Sequence, residues 1–310
     1  MSRSRQLEPD DQRSPALSPK PTFYRAIESE GQPTGRGSGG HAQQSHARTP
    51  SPADPRQASR LRTPHRDKGR TFHLRDSEVA ALIEIAKFRS VRTDDLTEVL
   101  YKGDREWATH DLRNLTAQGL IRRRTLDGTE KDQLLTLTRD AKQFLERTAP
   151  QGLDTDQTLY HGFVKPREAK HDAALYRLFH KAADKITAQG GTKLRVVLDF
   201  ELKRKIYREL AKLKSFAPQD RAKAKAHIAQ AHGLKVVNGK IPLPDLRIEY
   251  ETREHEQARV DLELATKDYR GHHIAEKAKA GFSIYAPADD APRLRAALQD
   301  PELITEILSL

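Results

Sequence analysis

The chain has no cysteine. That excludes disulfides and every Cys-ligated zinc module, ribbons and fingers included. Apolar residues are sparse too: 36% of the 310 residues are hydrophobic, 6% are aromatic, and the mean hydropathy is −0.80. Not all of such a chain can be packed core. No apolar run approaches the roughly 20 residues that a membrane helix needs, and the N-terminus lacks the apolar stretch of a signal peptide. The expectation is a cytoplasmic protein with no membrane partner. What the chain has in quantity is charge, with 55 Lys and Arg against 44 Asp and Glu, a formal balance of +11. A basic balance favours a polyanionic partner, of which nucleic acid is the commonest. The length allows one or two domains with appendages.

Residues 1–70 are rich in Ser, Pro, Gly, Gln and Arg and hold few large apolar side chains. Such a segment cannot offset the entropy of folding and is expected to be a disordered basic tail. A solubilising role and a DNA-contacting role are both open for it. Residues 71–148 change character. Asp76 and Ser77 are placed to cap a helix with Val79, Leu82, Ile83 and Ala86 inward. A short second helix starts at Thr93. Asp104 caps a third, with Ala108, Leu112 and Leu115 at i, i+4 and i+7, and Gly119 ends it. Residues 120–126 and 133–137 read as two strands with Asp127-Gly128 between them, and a last helix follows from Arg139 to Arg147. Three helices, a hairpin and a helix is the order of a winged helix-turn-helix.

In that motif the second helix of the pair enters the major groove of duplex DNA. The outward positions of the third helix include Arg105, Thr109, His110, Arg113 and Asn114. Arginine suits guanine and asparagine suits adenine. Arg122, Arg123 and Arg124 on the next strand are expected to grip phosphates. An ordinary solvated helical face is the competing reading.

Residues 149–167 contain proline and glycine and read as a linker. From 168 to 310 the order is helix (His171, Leu175, Leu178, Phe179, Ala182, Ile186), strand (Leu194, Val196, Leu198, Phe200), a basic helical insertion over 203–240, two strands, a helix through Ile274 and Ala278, a strand over 282–286, and a helix from Asp290. Without the insertion this is αβββαβ. The insertion is expected to be a peripheral, phosphate-facing arm, because Lys and Arg crowd it.

The two middle strands alternate. Leu246, Ile248 and Tyr250 point one way and Asp245, Arg247 and Glu249 the other; Val260, Leu262 and Leu264 oppose Asp261 and Glu263 in the same manner. In a hairpin centred near position 254, Asp245 falls opposite Glu263 on one face. Like charges directly opposed repel. A bridging cation relieves the repulsion, and oxygen ligands alone select Mg²⁺ or Mn²⁺. Two carboxylates on a solvated face is the plain alternative.

The αβββαβ order with these carboxylates is similar to the PD-(D/E)xK restriction-endonuclease-like fold. A winged helix joined to such a core resembles the replication-relaxation family of plasmids and mobile elements. The resemblance rests on His171 early in the first core helix, on Pro244-Asp245, and on Glu263 in an apolar strand. It implies double-stranded DNA as ligand, and plasmid replication or relaxase proteins as partners. It also implies a metal site at Asp245 and Glu263, with His171 and Glu201 as accessory residues. The lysine of the nuclease pattern belongs two residues after Glu263, where Ala265 stands. Lys267 has the right parity but lies about 13 Å along the strand. Lys277, three residues beyond inward-facing Ile274, is the better replacement. Three functions compete: a DNA-binding accessory protein with a nuclease-like domain, an active Mg²⁺-dependent DNA endonuclease, and a winged-helix transcription regulator.

Overall fold

The computed structural model describes residues 61–125, 133–163, 166–266, 269, 271–297 and 307–309. The expected tail over 1–60, the Asp127-Gly128 turn and Lys267 lie outside the described residues. The described chain is a mixed α+β structure whose strands form three sheets.

Residues 61–70, assigned above to the tail, are instead folded. Strand β1 (Thr63–Asp67) and β2 (Arg70–Leu74) pair antiparallel, with Thr63 opposite Leu74. Lys68 and Gly69 both take positive φ, 43° and 77°, as a tight two-residue hairpin turn requires. The strands carry little apolar surface beyond buried Phe72 and Leu74. Ion pairs hold them instead. Arg62 meets Glu78 at 2.7 Å, Arg70 meets Asp140 at 3.1 Å, and Arg147 grips the Asp67 carboxylate with two donors.

Next come α1 (Asp76–Ala86), β3 (Val91–Arg92), α2 (Thr93–Leu100), α3 (Arg105–Ala117), β4 (Ile121–Thr125), β5 (Gln133–Leu137) and α4 (Arg139–Thr148). The N-cap of α1 is Arg75, one residue before the expected Asp76, and its N–H donates to Glu78 Oε2 at 2.8 Å. Asp104 caps α3 as expected, accepting from the Trp107 N–H at 3.0 Å. Gly119 closes it at φ +72°. The three strands form a sheet in the order β3-β5-β4, with Arg123 opposite Leu135. Leu82, Ile85, Leu96, Leu112, Leu115 and Phe144 are buried together beneath it.

Residues 149–163 are not a free tether. Leu159 and Tyr160 are buried. The Tyr160 N–H donates to Ala86 O at 2.7 Å and the Gly162 N–H to Leu137 O at 2.9 Å. The Gln157 side chain donates to Val196 O at 3.0 Å and accepts from Val196 N at 2.9 Å. This strap ties the first half to the second.

The second half runs α5 (Pro166–Ala188), β6 (Thr192–Leu198), α6 (Asp199–Ala211), a 3₁₀ turn, α7 (Pro218–Ala231), β7 (Leu246–Glu251), β8 (Gln257–Leu264), α8 (Gly271–Ala280), β9 (Ser283–Ala286), α9 (Ala291–Ala297) and β10 (Ile307–Ser309). The sheet order is β10-β9-β8-β7-β6; β6, β7 and β8 are antiparallel neighbours, and β9 joins β8 in parallel. One apolar layer unites Leu175, Leu178, Ala182 and Ile186 of α5 with Val196, Ile248 and Leu262. It is continuous with the first half, since Phe88 packs edge-to-face on Tyr176 and Phe179 at 5.2 and 5.7 Å.

Two expectations change here. Strand β6 ends at Leu198, so Phe200 and Glu201 belong to α6. The insertion is not peripheral, because Leu202, Ile206, Leu213, Ile228 and Leu234 form a second core with Val197 and Phe282. Its lysines and arginines face outward while its few aliphatic residues face in. No helix among the described residues is long and apolar enough to cross a membrane.

Candidate functional site

The hairpin register sets the carboxylates. Leu246 stands opposite Leu262 and Arg247 opposite Asp261, so one step further brings Asp245 across from Glu263. Asp245 lies just before β7, and its Oδ2 accepts the Leu264 N–H at 3.0 Å. Glu263 is fully buried. Its Oε1 accepts from the Tyr269 hydroxyl at 2.6 Å and sits 2.7 Å from Lys277 Nζ. Its Oε2 has no hydrogen-bond partner among the described residues. Lys277 also donates to Leu243 O at 2.7 Å. Ile274 is wholly buried, and Lys277 follows it by three residues on the same face of α8, which directs the ammonium toward the sheet. Ala265, where the nuclease pattern has its lysine, is wholly buried.

His171 of α5 completes the cluster. Its Nε2 is 3.3 Å from Asp245 Oδ2 and its Nδ1 is 3.6 Å from Asp172 Oδ1. Burial alone would lower the imidazole, but hydrogen bonds and charge from Asp172 and Asp245 outweigh it and lift it to about 10. Glu263 moves the other way from a normal carboxylate. Burial raises it first and the neighbouring Asp245 charge next; Lys277 and Tyr269 pull back, leaving it at about 7. Burial and the same two carboxylates push the Tyr269 phenol upward. The site therefore holds two carboxylates, each facing its own basic group: Asp245 beside His171 and Glu263 beside Lys277.

Tyr269 was absent from the sequence reading, since nothing in its spacing marks it. Glu201 is present but elsewhere. It is bound by Arg195 at 2.9 Å, Lys205 at 2.8 Å and the Tyr160 hydroxyl at 3.2 Å, and it makes no bond to Asp245 or Glu263. Near the site the polar face of the hairpin is covered, although Arg259 further along it is exposed. Arg247 is 3% exposed, forks onto Asp261 at 2.6 and 2.9 Å, and donates to His232 O at 2.7 Å, beneath the helices of the insertion.

The outward face of α3 divides in two. Arg105, Thr109 and Arg113, spaced four apart, are exposed. Among the described residues Arg105 has one ion pair, a long contact of 3.6 Å to Asp94. His110 and Asn114 are turned toward the β1–β2 hairpin instead. His110 Nδ1 lies 3.2 Å from both Arg62 and Arg75. The Asn114 amide donates to His73 O at 3.1 Å and to Glu78 Oε1 at 2.9 Å. Both of its donated bonds are thus made within the fold and not to a groove.

Arg122, Arg123 and Arg124 do not share one face either. Strand parity puts Arg123 on the opposite face from the other two. Arg122 and Arg124 are exposed, and Arg124 lies over the Phe163 ring at 5.5 Å. Arg123 is half-buried; burial and then the nearby Arg113 lower its pKa, and its Nε and Nη2 have no partner among the described residues.

Among the described residues, no group of three or more His, Asp and Glu side chains is gathered as a metal cage. Comparison with family models, curated proteins and solved structures gives no match to this chain.

Proposed function

We propose that this is a DNA-binding protein of plasmid or mobile-element replication or mobilisation, with a winged helix-turn-helix that docks on duplex DNA. Its second domain is a PD-(D/E)xK-like fold carrying a carboxylate–lysine site of nuclease type. The order α1, α2, α3, β4–β5, α4 supports the first part. The order α5-β6-β7-β8-α8-β9, with β9 parallel to β8, supports the second. The observation that carries the reading is the 2.7 Å contact of Lys277 with Glu263, beside Asp245. A lysine supplied from the next helix stands in for the one missing at position 265.

The donor set fits a hard divalent cation. Asp245 and Glu263 are the residues that would hold Mg²⁺ or Mn²⁺, and Glu263 has a buried oxygen without a partner. Two carboxylates supply part of a coordination shell, and magnesium commonly fills the rest with water and phosphate. When bound, the cation would activate water and neutralise the scissile phosphate. Lys277 would place positive charge beside the phosphate as negative charge develops on it. His171 would orient Asp245, and Arg105, Thr109 and Arg113 would meet base edges while Arg122 meets phosphate.

The test is incubation of supercoiled plasmid with the full chain and Mg²⁺ or Mn²⁺. Nicking lost in Asp245→Ala and in Lys277→Ala, but kept in Lys267→Ala, is the expected result. Nicking that survives Asp245→Ala would remove the site. A second reading is a docking scaffold without cleavage. The internal neutralisation favours it, since His171 and Lys277 already balance Asp245 and Glu263. That reading predicts duplex binding with no nicking by the wild type.

A further inference from the structure

Charge and aromatic rings gather in a second place, lined by none of Asp245, Glu263 or Lys277. A cavity of about 330 Å³ opens between the turn after α1, helix α4, the strap and the start of α6. Arg89, Lys142 and Arg204 bring cations to its wall, and Tyr160, Phe163 and Phe200 bring rings. Arg89 is paired with Asp172 at 3.2 Å and Glu168 at 3.6 Å, and Lys142 with Glu146 at 3.5 Å, which leaves Arg204 as the cation that faces a ligand. Tyr160 and Phe200 stand edge-to-face at 4.9 Å. The Arg89 guanidinium lies 5.1 Å over Phe200, and Arg124 reaches Phe163 from β4. Glu201, the carboxylate in the lining, is already met by Arg195, Lys205 and the Tyr160 hydroxyl, so it does not oppose an anion. Arg204 is exposed and makes no ion pair among the described residues.

The surface of α6 continues from the cavity. Phe200, Arg204, Tyr207 and Arg208 follow at i, i+4, i+7 and i+8, which is one helical face. Tyr207 is 58% exposed, with Lys203 and Arg204 one turn before it. A duplex presents phosphates and groove edges, and its base faces are stacked inside. An exposed ring among cations, beside a ring-lined cavity, suits a base whose face is free. The volume lies in the range of sites that enclose a small ligand, about 300–1,000 Å³. Stacking on aromatic rings together with a basic track is how single strands are held without sequence readout.

We propose that the cavity and the α6 face form a track for single-stranded DNA. One unpaired nucleotide sits in the cavity with its phosphate toward Arg204, and the next base stacks on Tyr207. The track rests on the reading that the protein works on DNA, but it is separate from the duplex-facing side of α3.

Fluorescence anisotropy of the full chain tests it, with a labelled oligothymidylate as single strand and a labelled blunt duplex beside it. Arg204→Ala and Tyr207→Ala are each expected to weaken oligothymidylate binding about tenfold, while duplex affinity stays within about twofold. Tyr207→Phe should retain binding. Both residues are exposed, and unchanged thermal midpoints would establish that the variants are folded. Absence of oligothymidylate binding overturns the proposal. So does an equal loss for both ligands, or an equal loss from Lys223→Ala on α7, because either reduces the effect to bulk charge. Preference for oligouridylate over oligothymidylate overturns the assignment to DNA. Oligothymidylate binding without any duplex binding removes the winged-helix reading and keeps the track.

Discussion

Lys277 Nζ lies 2.7 Å from Glu263 Oε1 although the two stand on different elements, α8 and β8. A carboxylate buried beside Asp245 is driven toward its protonated form, and Lys277 restrains that drift. In Lys277→Met the restraint is gone and Glu263 takes up a proton more readily. The cost to stability should then be about 1–3 kcal/mol at pH 8 and clearly smaller at pH 5.5. The sign follows from a folded-state pKa raised above its unfolded value, whose contribution is present at low pH and lost as pH rises. Urea midpoints at the two pH values check it. An equal loss at both would mean that Lys277 acts by packing alone.

Glu84 of α1 accepts from His180 of α5 at 3.0 Å and pairs with Lys87 at 2.7 Å, so it links the two halves. Burial would raise its carboxyl, but Lys87 and His180 outweigh burial and hold it well below the ordinary 4.5. A depressed carboxylate stabilises fully above its unfolded pKa, and the contribution fades as pH falls. Glu84→Gln should therefore be less stable than wild type at pH 7, with the gap closing as pH drops below about 4.5. Thermal midpoints at pH 7, 5 and 3 would show the convergence; a gap constant over that range would rule out the ion pair as its source.

Arg113 and Asn114 are neighbours with opposite expectations. Arg113→Ala should leave stability nearly unchanged and cost about 1–3 kcal/mol of sequence preference if it forms a bidentate base contact. Asn114→Ala should cost about 1–3 kcal/mol of stability, because Glu78 and His73 O lose a donor. Arg122→Ala should weaken every duplex alike and reduce the salt slope by about one. Binding isotherms at several salt concentrations, set beside unfolding curves, separate the three.

The insertion is expected to be essential for folding. Ile206 is wholly buried against Leu202, Ile228 and Val197. Ile206→Ala should cost about 2–5 kcal/mol, and removing 203–240 should expose Val197 and leave Arg247 uncovered. Circular dichroism of the deletion variant gives the answer directly. A folded, cooperative deletion variant would return the insertion to the periphery.

Elements with a strong period and clear caps were legible in the sequence. Asp104, Gly119 and the i, i+4, i+7 spacing of Ala108, Leu112 and Leu115 define α3 to within a residue. The register that sets Asp245 against Glu263 was legible from alternation together with a hairpin centred near position 254. What was hidden was hidden by polarity. Strands β1 and β2 are held by Arg–carboxylate pairs, so their composition resembled the tail, and this concealed the partners of His110 and Asn114. Arg247 and Asp261 looked solvent-facing because alternation marks polar positions, yet the two satisfy each other and lie covered. In the insertion the inward aliphatics Leu202, Ile206, Leu213 and Ile228 are interleaved with Lys and Arg, so the basic composition outweighed a helical period that was there to read.

The Gln157 side chain gives Val196 both the donor and the acceptor that a neighbouring strand would offer. Strand β6 terminates its sheet, so its outer backbone groups would otherwise be a template for another chain. One amide, set at mid-strand by the strap, occupies that template at its centre. Arg195 Nε adds a bond to Asp156 O at 2.8 Å beside it. The strap is thus an edge cover as well as a join: a chain whose strap came loose would bare the backbone donor and acceptor of Val196 on the outer side of β6.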